Sequence, residues 1–294
     1  MSVIRGARER ARVEITAAIK EEARRQVAAA GPTGLSLRAV ARELGMVSSA
    51  LYRYFPSRDD LLTALIIDAY DAIGAAAEAA AEAVGPEADP LVRWIAVCRA
   101  ARDWAVAHPH EYALIYGSPV PGYSAPQDTV VPGSRVGLAL VAVARDAHRR
   151  GLLGPPPGRP LAGPVRVDAA RLAADLAPEL PVPVIAALVA AWAQVFGIIS
   201  FEVFGQFNQV VEARAEFFDR AAAAVAAQTG LRVAGFDGAG AHRPADEDQG
   251  IPADGAERTE GAEGKEGADD TASADDTASA GDAASAGAGV LPAK

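Results

Sequence analysis

The stretch Ser36-Leu-Arg-Ala-Val-Ala-Arg-Glu-Leu-Gly-Met-Val-Ser-Ser-Ala-Leu-Tyr-Arg-Tyr-Phe55 reads as two short helices joined by a tight turn. In the first, Leu37, Val40, Ala41 and Leu44 recur at i, i+3, i+4 and i+7, a single apolar stripe. Gly45 follows at once and suits the left-handed residue that ends a helix. Ser48 is then expected to cap a second helix by accepting from its free amides. In that helix Val47, Leu51, Tyr54 and Phe55 are expected to face a core, and Ser48, Ser49, Tyr52 and Arg53 to face outward.

Two helices crossing through a turn of three or four residues form a helix-turn-helix, whose second helix enters the major groove of DNA. The outward residues have suitable chemistry. Hydroxyls meet phosphates or base edges, Tyr52 offers a ring and an OH, and Arg38, Arg53 and Arg58 are cationic clamps for phosphate. Spacing alone also admits an ordinary helical hairpin with a solvated basic face.

The runs Leu35-Ser-Leu-Arg-Ala-Val-Ala-Arg-Glu-Leu-Gly45 and Ala50-Leu-Tyr-Arg-Tyr-Phe-Pro-Ser-Arg-Asp-Asp-Leu-Leu62 resemble the amino-terminal domain of tetracycline-repressor-type (TetR/AcrR) regulators. By position, the resemblance implies DNA contacts from Ser36, Leu37 and Arg38, from Val47, Ser48, Ala50, Tyr52 and Tyr54, and from Arg58. It covers roughly residues 13 to 73. Arg24 and Val27 stand where the family usually has Leu and Phe, which bears on the packing of the first helix and not on the motif.

The expected fold is all-α: a three-helix head at 13–73, a larger helical ligand-binding and dimerisation domain at 74–234, and a disordered acidic tail at 235–294. Half of the chain is hydrophobic and only 6% aromatic, enough for a head and a second core. The formal net charge of −10 at first argues against a nucleic-acid partner. The charge is uneven, however, because arginines crowd the amino-terminal part and Asp and Glu crowd 246–282. The hexad Asp-Asp-Thr-Ala-Ser-Ala repeats at 269–274 and 275–280, a composition that buries too little surface to order. No apolar run is read as long enough to span a bilayer, and no leader is read at the amino terminus, so a cytoplasmic protein is expected. The single cysteine, Cys98, lies on an apolar stripe and is expected as a buried thiol.

Residues 1–12 are expected to be a flexible basic arm, and a helix is expected from about Arg12 to the stop at Gly31-Pro32. Ser57 and Asp60 form a capping box for a helix running from Arg58 to about Val84, where Gly85-Pro86 breaks it. That helix begins beside DNA and ends in the second domain, so a tilt at its far end would move the recognition helix. Asp89 and Pro90 start the next helix, which ends at His108-Pro109. The segment from His108 to Tyr123 mixes His, Tyr, Gly and Pro as pockets do, with an irregular backbone expected, and it resembles one class of carboxy-terminal domain in the repressor family. Trp94, His108, Tyr112, Tyr116 and Trp192 are the expected ligand lining. His108 and His110 are two apart and lack partners at ligand spacing, so no metal is expected. No cofactor or catalytic motif is read either.

Further helices are expected at about 134–150, 168–177, 183–204 and 207–227, with an exposed loop at 151–164. The last two look like the pair that forms a four-helix dimer bundle in the repressor family. Together these features imply a homodimeric, ligand-responsive regulator, a repressor, on near-palindromic double-stranded operator DNA. The alternative is a helical enzyme or small-molecule binding protein without specific DNA recognition.

Overall fold

A computed structural model describes residues 2–232, with side chains from Gly6 onward. The acidic tail, and the expectation of disorder there, lie outside the described residues. Among the described residues ten α-helices follow one another: α1 Ser2–Ala30, α2 Leu37–Glu43, α3 Ser48–Leu51, α4 Arg58–Val84, α5 Pro90–Ala107, α6 Pro109–Tyr116, α7 Val130–Arg149, α8 Gly163–Leu176, α9 Val182–Val203 and α10 Arg214–Gln228. Among the described residues the only β pairing is an isolated bridge between Leu153 and Leu231. The all-α class is as expected.

Local chemistry sets many of the boundaries. Leu44 caps α2, and Gly45 adopts φ 64°. Its amide donates to Arg42 O at 3.1 Å and that of Met46 to Ala41 O at 2.8 Å, the paired bonds of a left-handed helix stop. Ser57 Oγ accepts from the amide of Asp60 at 3.0 Å, and its hydroxyl reaches the Asp60 carboxylate at 2.7 Å. Asp89 Oδ1 accepts from the Leu91 amide at 2.8 Å, with Pro90 as the first residue of α5.

Several expectations need correction. The basic segment expected as an arm is helical from Ser2, because its Arg, Glu and Ala residues favour helix, no proline precedes Pro32, and the single Gly6 is tolerated. Ser48 does not cap α3; Val47 holds the cap position with no side-chain bond. Residues 109–116 are a regular helix, α6, rather than irregular backbone. Helix α7 begins at Val130, with Pro132 tolerated in its first turn, and α8 at Gly163. Helix α10 begins only at Arg214, since turns occupy the residues after Gly205. Helix α9 is, by length and composition, long and apolar enough to cross a membrane, contrary to the reading of the runs. Its inner face, with Ile185, Leu188, Val195 and Ile199, is buried among α5, α7, α8 and α10, as in a core helix.

Two cores form. Ile19, Ala23 and Val27 of α1, Val40 and Ala41 of α2, Leu51 and Phe55 around α3, and Leu61, Leu62, Leu65 and Ile66 of α4 make the head. Ile73 and Ala77 of the same α4 join Trp94, Cys98, Tyr112, Leu140, Val195 and Phe218 in the body. Burial pushes the Cys98 thiol well above its usual range, so it stays neutral.

Polar pins fix the body. Trp94 Nε1 donates to Ala222 O at 3.1 Å, tying α10 to α5. Arg102 of α5 grips Glu202 of α9 through two bonds, Nε to Oε2 at 2.7 Å and Nη2 to Oε1 at 2.5 Å, above the Phe218 ring. The two side chains are 12% and 7% exposed, so the pair is shielded from screening. Glu202→Ala is therefore expected to destabilise the fold by about 3 kcal/mol in urea unfolding, because it removes both bonds of the shielded carboxylate and leaves the guanidinium with only the exposed Asp103, at 3.0 Å. A change below about 1 kcal/mol would contradict this reading.

Candidate nucleic-acid interface and interior cleft

Helix α3 is one turn, extended by turn residues 52–54. Leu51 and Phe55, four apart, are 0% and 7% exposed and anchor the segment in the head core. With those anchors fixed, Ser48, Ser49, Tyr52 and Arg53 point to solvent, as expected, and Tyr52 is 42% exposed. Ala50 is half-buried. Val47, assigned to the core by periodicity, is 70% exposed because it precedes the first helical turn. Tyr54 is half-buried and packs against the head core, as its apolar assignment required. That leaves less of it for the DNA contact implied by resemblance.

At the start of α2, Leu37 is buried and cannot serve as a contact; the burial that its position on the apolar stripe predicted has prevailed. Ser36 caps α2, its Oγ accepting from Ala39 N at 3.3 Å. Its own amide donates to Gln26 Oε1 of α1 at 3.4 Å. Arg38 is exposed beside it. Among the described residues neither Arg38 nor Arg53 has an ion-pair partner, so both cations are available to phosphate. Arg58 is different. Its Nη2 donates to Pro32 O at 2.7 Å and its Nη1 to Asp59 at 3.3 Å, so it ties the turn after α1 to the start of α4.

Charge ties α1 to α4 within the head and, through α6, to the body. Asp68 of α4 receives Lys20 at 2.8 Å and Arg24 at 2.7 Å, both from α1, and Arg24 also reaches Glu111 of α6 at 3.4 Å. The α6–α7 connection adds a strap. Val120 and Tyr123 pack on the head core, and the Tyr123 hydroxyl lies 2.8 Å from Thr63 Oγ1 of α4. The sequence reading missed this clasp and strap, since each joins residues more than forty positions apart.

The five expected ligand residues do not form one site. Trp94 is fully buried and hydrogen-bonded in the core, and His108 is an exposed cap residue stacked on Trp104 at 5.0 Å. Tyr112 is buried as a structural pin, with its OH donating to Phe196 O at 3.2 Å and sitting 2.8 Å from Ser200 Oγ. Tyr116 stacks against Phe196 at 4.4 Å and Tyr112 at 5.1 Å, and meets Tyr70 of α4 edge-on at 5.9 Å. Burial pushes the Tyr112 hydroxyl up to about 12 and that of Tyr116 well above 10, so this column carries no charge at ordinary pH. Of the five, Trp192 lines a cleft of about 150 Å³ between α7, α8 and α9. Gly133, Gly137, Val141, Leu172 and Leu176 share its walls; the sequence reading passed over them, although two glycines four apart in an apolar helix were a visible signal. Among the described residues no three His, Cys, Asp or Glu side chains cluster as metal ligands.

Comparison with known proteins bears on both parts. Residues 19–65 match the model described as bacterial regulatory proteins of the tetR family, and residues 94–225 match the tetracyclin repressor-like C-terminal domain. The chain is 40% identical to the HTH-type transcriptional regulator Rv1816 of Mycobacterium tuberculosis over 225 residues, covering 69% of this chain and 86% of that protein. The regulator Mb1846 of Mycobacterium bovis matches to the same extent. Among solved structures, the regulatory protein SCO4313 is 33% identical, with a TM-score of 0.59 over 74% of this chain and 97% of that one. A tetR-family regulatory protein from Rhodococcus RHA1 shares the fold at 15% identity, with a TM-score of 0.51 over 74% and 98% of the two chains. With both domains matched and that identity to whole regulators, the chain belongs to the TetR family of DNA-binding transcriptional regulators.

Proposed function

We propose that the protein is a homodimeric, ligand-responsive repressor that binds a near-palindromic operator and is released by a small-molecule effector. One observation carries the reading. Ser48, Ser49, Tyr52 and Arg53 form a solvent-facing hydroxyl, aromatic and cationic surface, held rigid by Leu51 and Phe55 beneath it. A one-turn helix so anchored fits a major groove, with Arg38 on α2 placed for the flanking phosphates. The protein is read as acting in the cytoplasm, where bacterial DNA lies.

A dimer is supported by the outer face of α9 and its neighbour α10. Phe201, Phe204 and Phe217 are 54%, 42% and 40% exposed, and Ala190, Ala193 and Gly197 form a small-residue stripe on the same helix. A Cβ at Gly197 would meet nothing within 4 Å, which leaves room for a second backbone to approach. In such a dimer the two recognition segments must sit about 34–36 Å apart to reach successive major grooves. An effector lowers operator affinity only as far as it prefers another spacing of the heads, and a ~100-fold preference corresponds to about 2.7 kcal/mol of coupling.

Footprinting on the DNA flanking the protein's own gene, followed by gel shifts across a salt series, tests the proposal. Tyr52→Ala is expected to weaken operator binding ~10-fold or more while fold and dimer persist. Arg53→Ala is expected to lower the salt slope of log K by about 1. Wild-type affinity in both variants would remove the interface from α3. Arg58→Ala should lower the thermal midpoint along with DNA affinity, because it frees the Pro32 carbonyl from its only side-chain donor. Phe201→Asp should convert the dimer to monomer in light scattering; an unchanged mass would move the dimer face elsewhere.

A further inference from the structure

The cleft between α7, α8 and α9 has features that packing alone does not explain. Its volume is about 150 Å³, and Gly137, Val141, Leu172, Leu176, Leu188 and Trp192 supply much of its wall. No ionisable side chain lines it. The one hydroxyl, Ser134 Oγ, already donates to Val131 O at 2.8 Å. A charged guest would lose its hydration there and gain no counter-charge. An apolar cavity of ~150 Å³ is the size that accommodates a single benzene ring.

Gly137 is the informative residue. It lies in the middle of α7, where glycine weakens a helix relative to alanine. A Cβ there would meet only Trp192 Cδ1, at 3.9 Å, an ordinary contact. Neither crowding nor backbone conformation therefore demands glycine, and the missing side chain leaves the cleft open. Helix α8 covers the cleft while burying only Ala169 and Ala173 of its own, between a Pro/Gly-rich connection at 151–162 and Pro178. Trp192 in turn meets Phe196 at 6.0 Å, the head of the aromatic column that reaches Tyr70 on α4.

Resting on the reading of the chain as a ligand-responsive regulator, we infer that this cleft is the effector site, that its ligand is a neutral, largely apolar molecule of single-ring size, and that Gly137 holds the site open. The ligand enters beneath α8 and presses on the Trp192 edge, which passes the displacement to Phe196 and Tyr116.

The full chain is titrated with toluene, and with benzoate and benzylamine as charged counterparts of similar size, reading the thermal midpoint and tryptophan emission. Toluene is expected to raise the midpoint saturably, with the charged compounds ~10-fold or more weaker. Gly137→Leu, which fills the space, should cost toluene ~10-fold or more in affinity, and Gly137→Ala should fall between it and the wild type. Trp192→Phe should remove the emission change. Absence of saturable toluene binding to the wild type, or benzoate bound as tightly, overturns the inference. If Gly137→Leu does not fold, unaltered toluene affinity in Gly137→Ala overturns it. Operator gel shifts on the same samples without toluene keep the two readings apart: loss of specific DNA binding strikes the regulator and leaves the cleft result standing.

Discussion

Everything in the described chain depends on α4 being one unbroken helix shared by two separate cores. Leu61, Leu62, Leu65 and Ile66 are buried in the head, and Ile73 and Ala77, about two and three turns beyond Ile66, are buried in the body. At 1.5 Å per residue its 27 residues span about 40 Å, and no proline interrupts them. A helix bonded along its whole length resists bending far more than side chains resist sliding. A displacement of the body end would therefore reach the head as a tilt, and α3 rides on that head through Leu51 and Phe55.

The contacts that hold head to body are of a different kind from those inside each core. Arg24 on Glu111 and Tyr123 on Thr63 are partly solvated polar contacts. Such contacts each contribute little against water, about 1 kcal/mol or less. The desolvated Arg102–Glu202 pair inside the body is costly to break by comparison. The molecule thus has rigid parts and a soft seam, and the seam runs through α6, which also carries Tyr112 and Tyr116 into the aromatic column. Phe196, which Trp192 meets edge-on, and Arg24 of α1 thus both touch the same short helix, at Tyr116 and Glu111.

Much was legible in the sequence because it depends on neighbours in the chain. Gly45 ends α2, Ser57 and Asp60 start α4, and Asp89 with Pro90 starts α5, as their side-chain and backbone chemistry required. Leu51 and Phe55 are buried and Tyr52 exposed, because a spacing of four fixes a helix face. Val47 failed the same rule because it stands outside the helix whose period was applied to it. Leu37 shows the limit of carrying contacts over by position, since the chain buries that side chain. Trp94 and His108 were placed together for another reason: aromatic and histidine content marks a pocket only where the side chains converge, and these two end on opposite sides of the fold's boundary with solvent.

The sequence by itself determined most of the helical segments, α6 excepted, and the face that α3 turns outward, because local hydrogen bonding and periodicity act over a few residues. Only the tertiary structure decided that Arg58 holds Pro32, that Arg24 links α1, α4 and α6, and that Gly137 and Trp192 lie side by side in the wall of one cleft. Those relations join residues dozens of positions apart, and their distances are set by how whole helices pack.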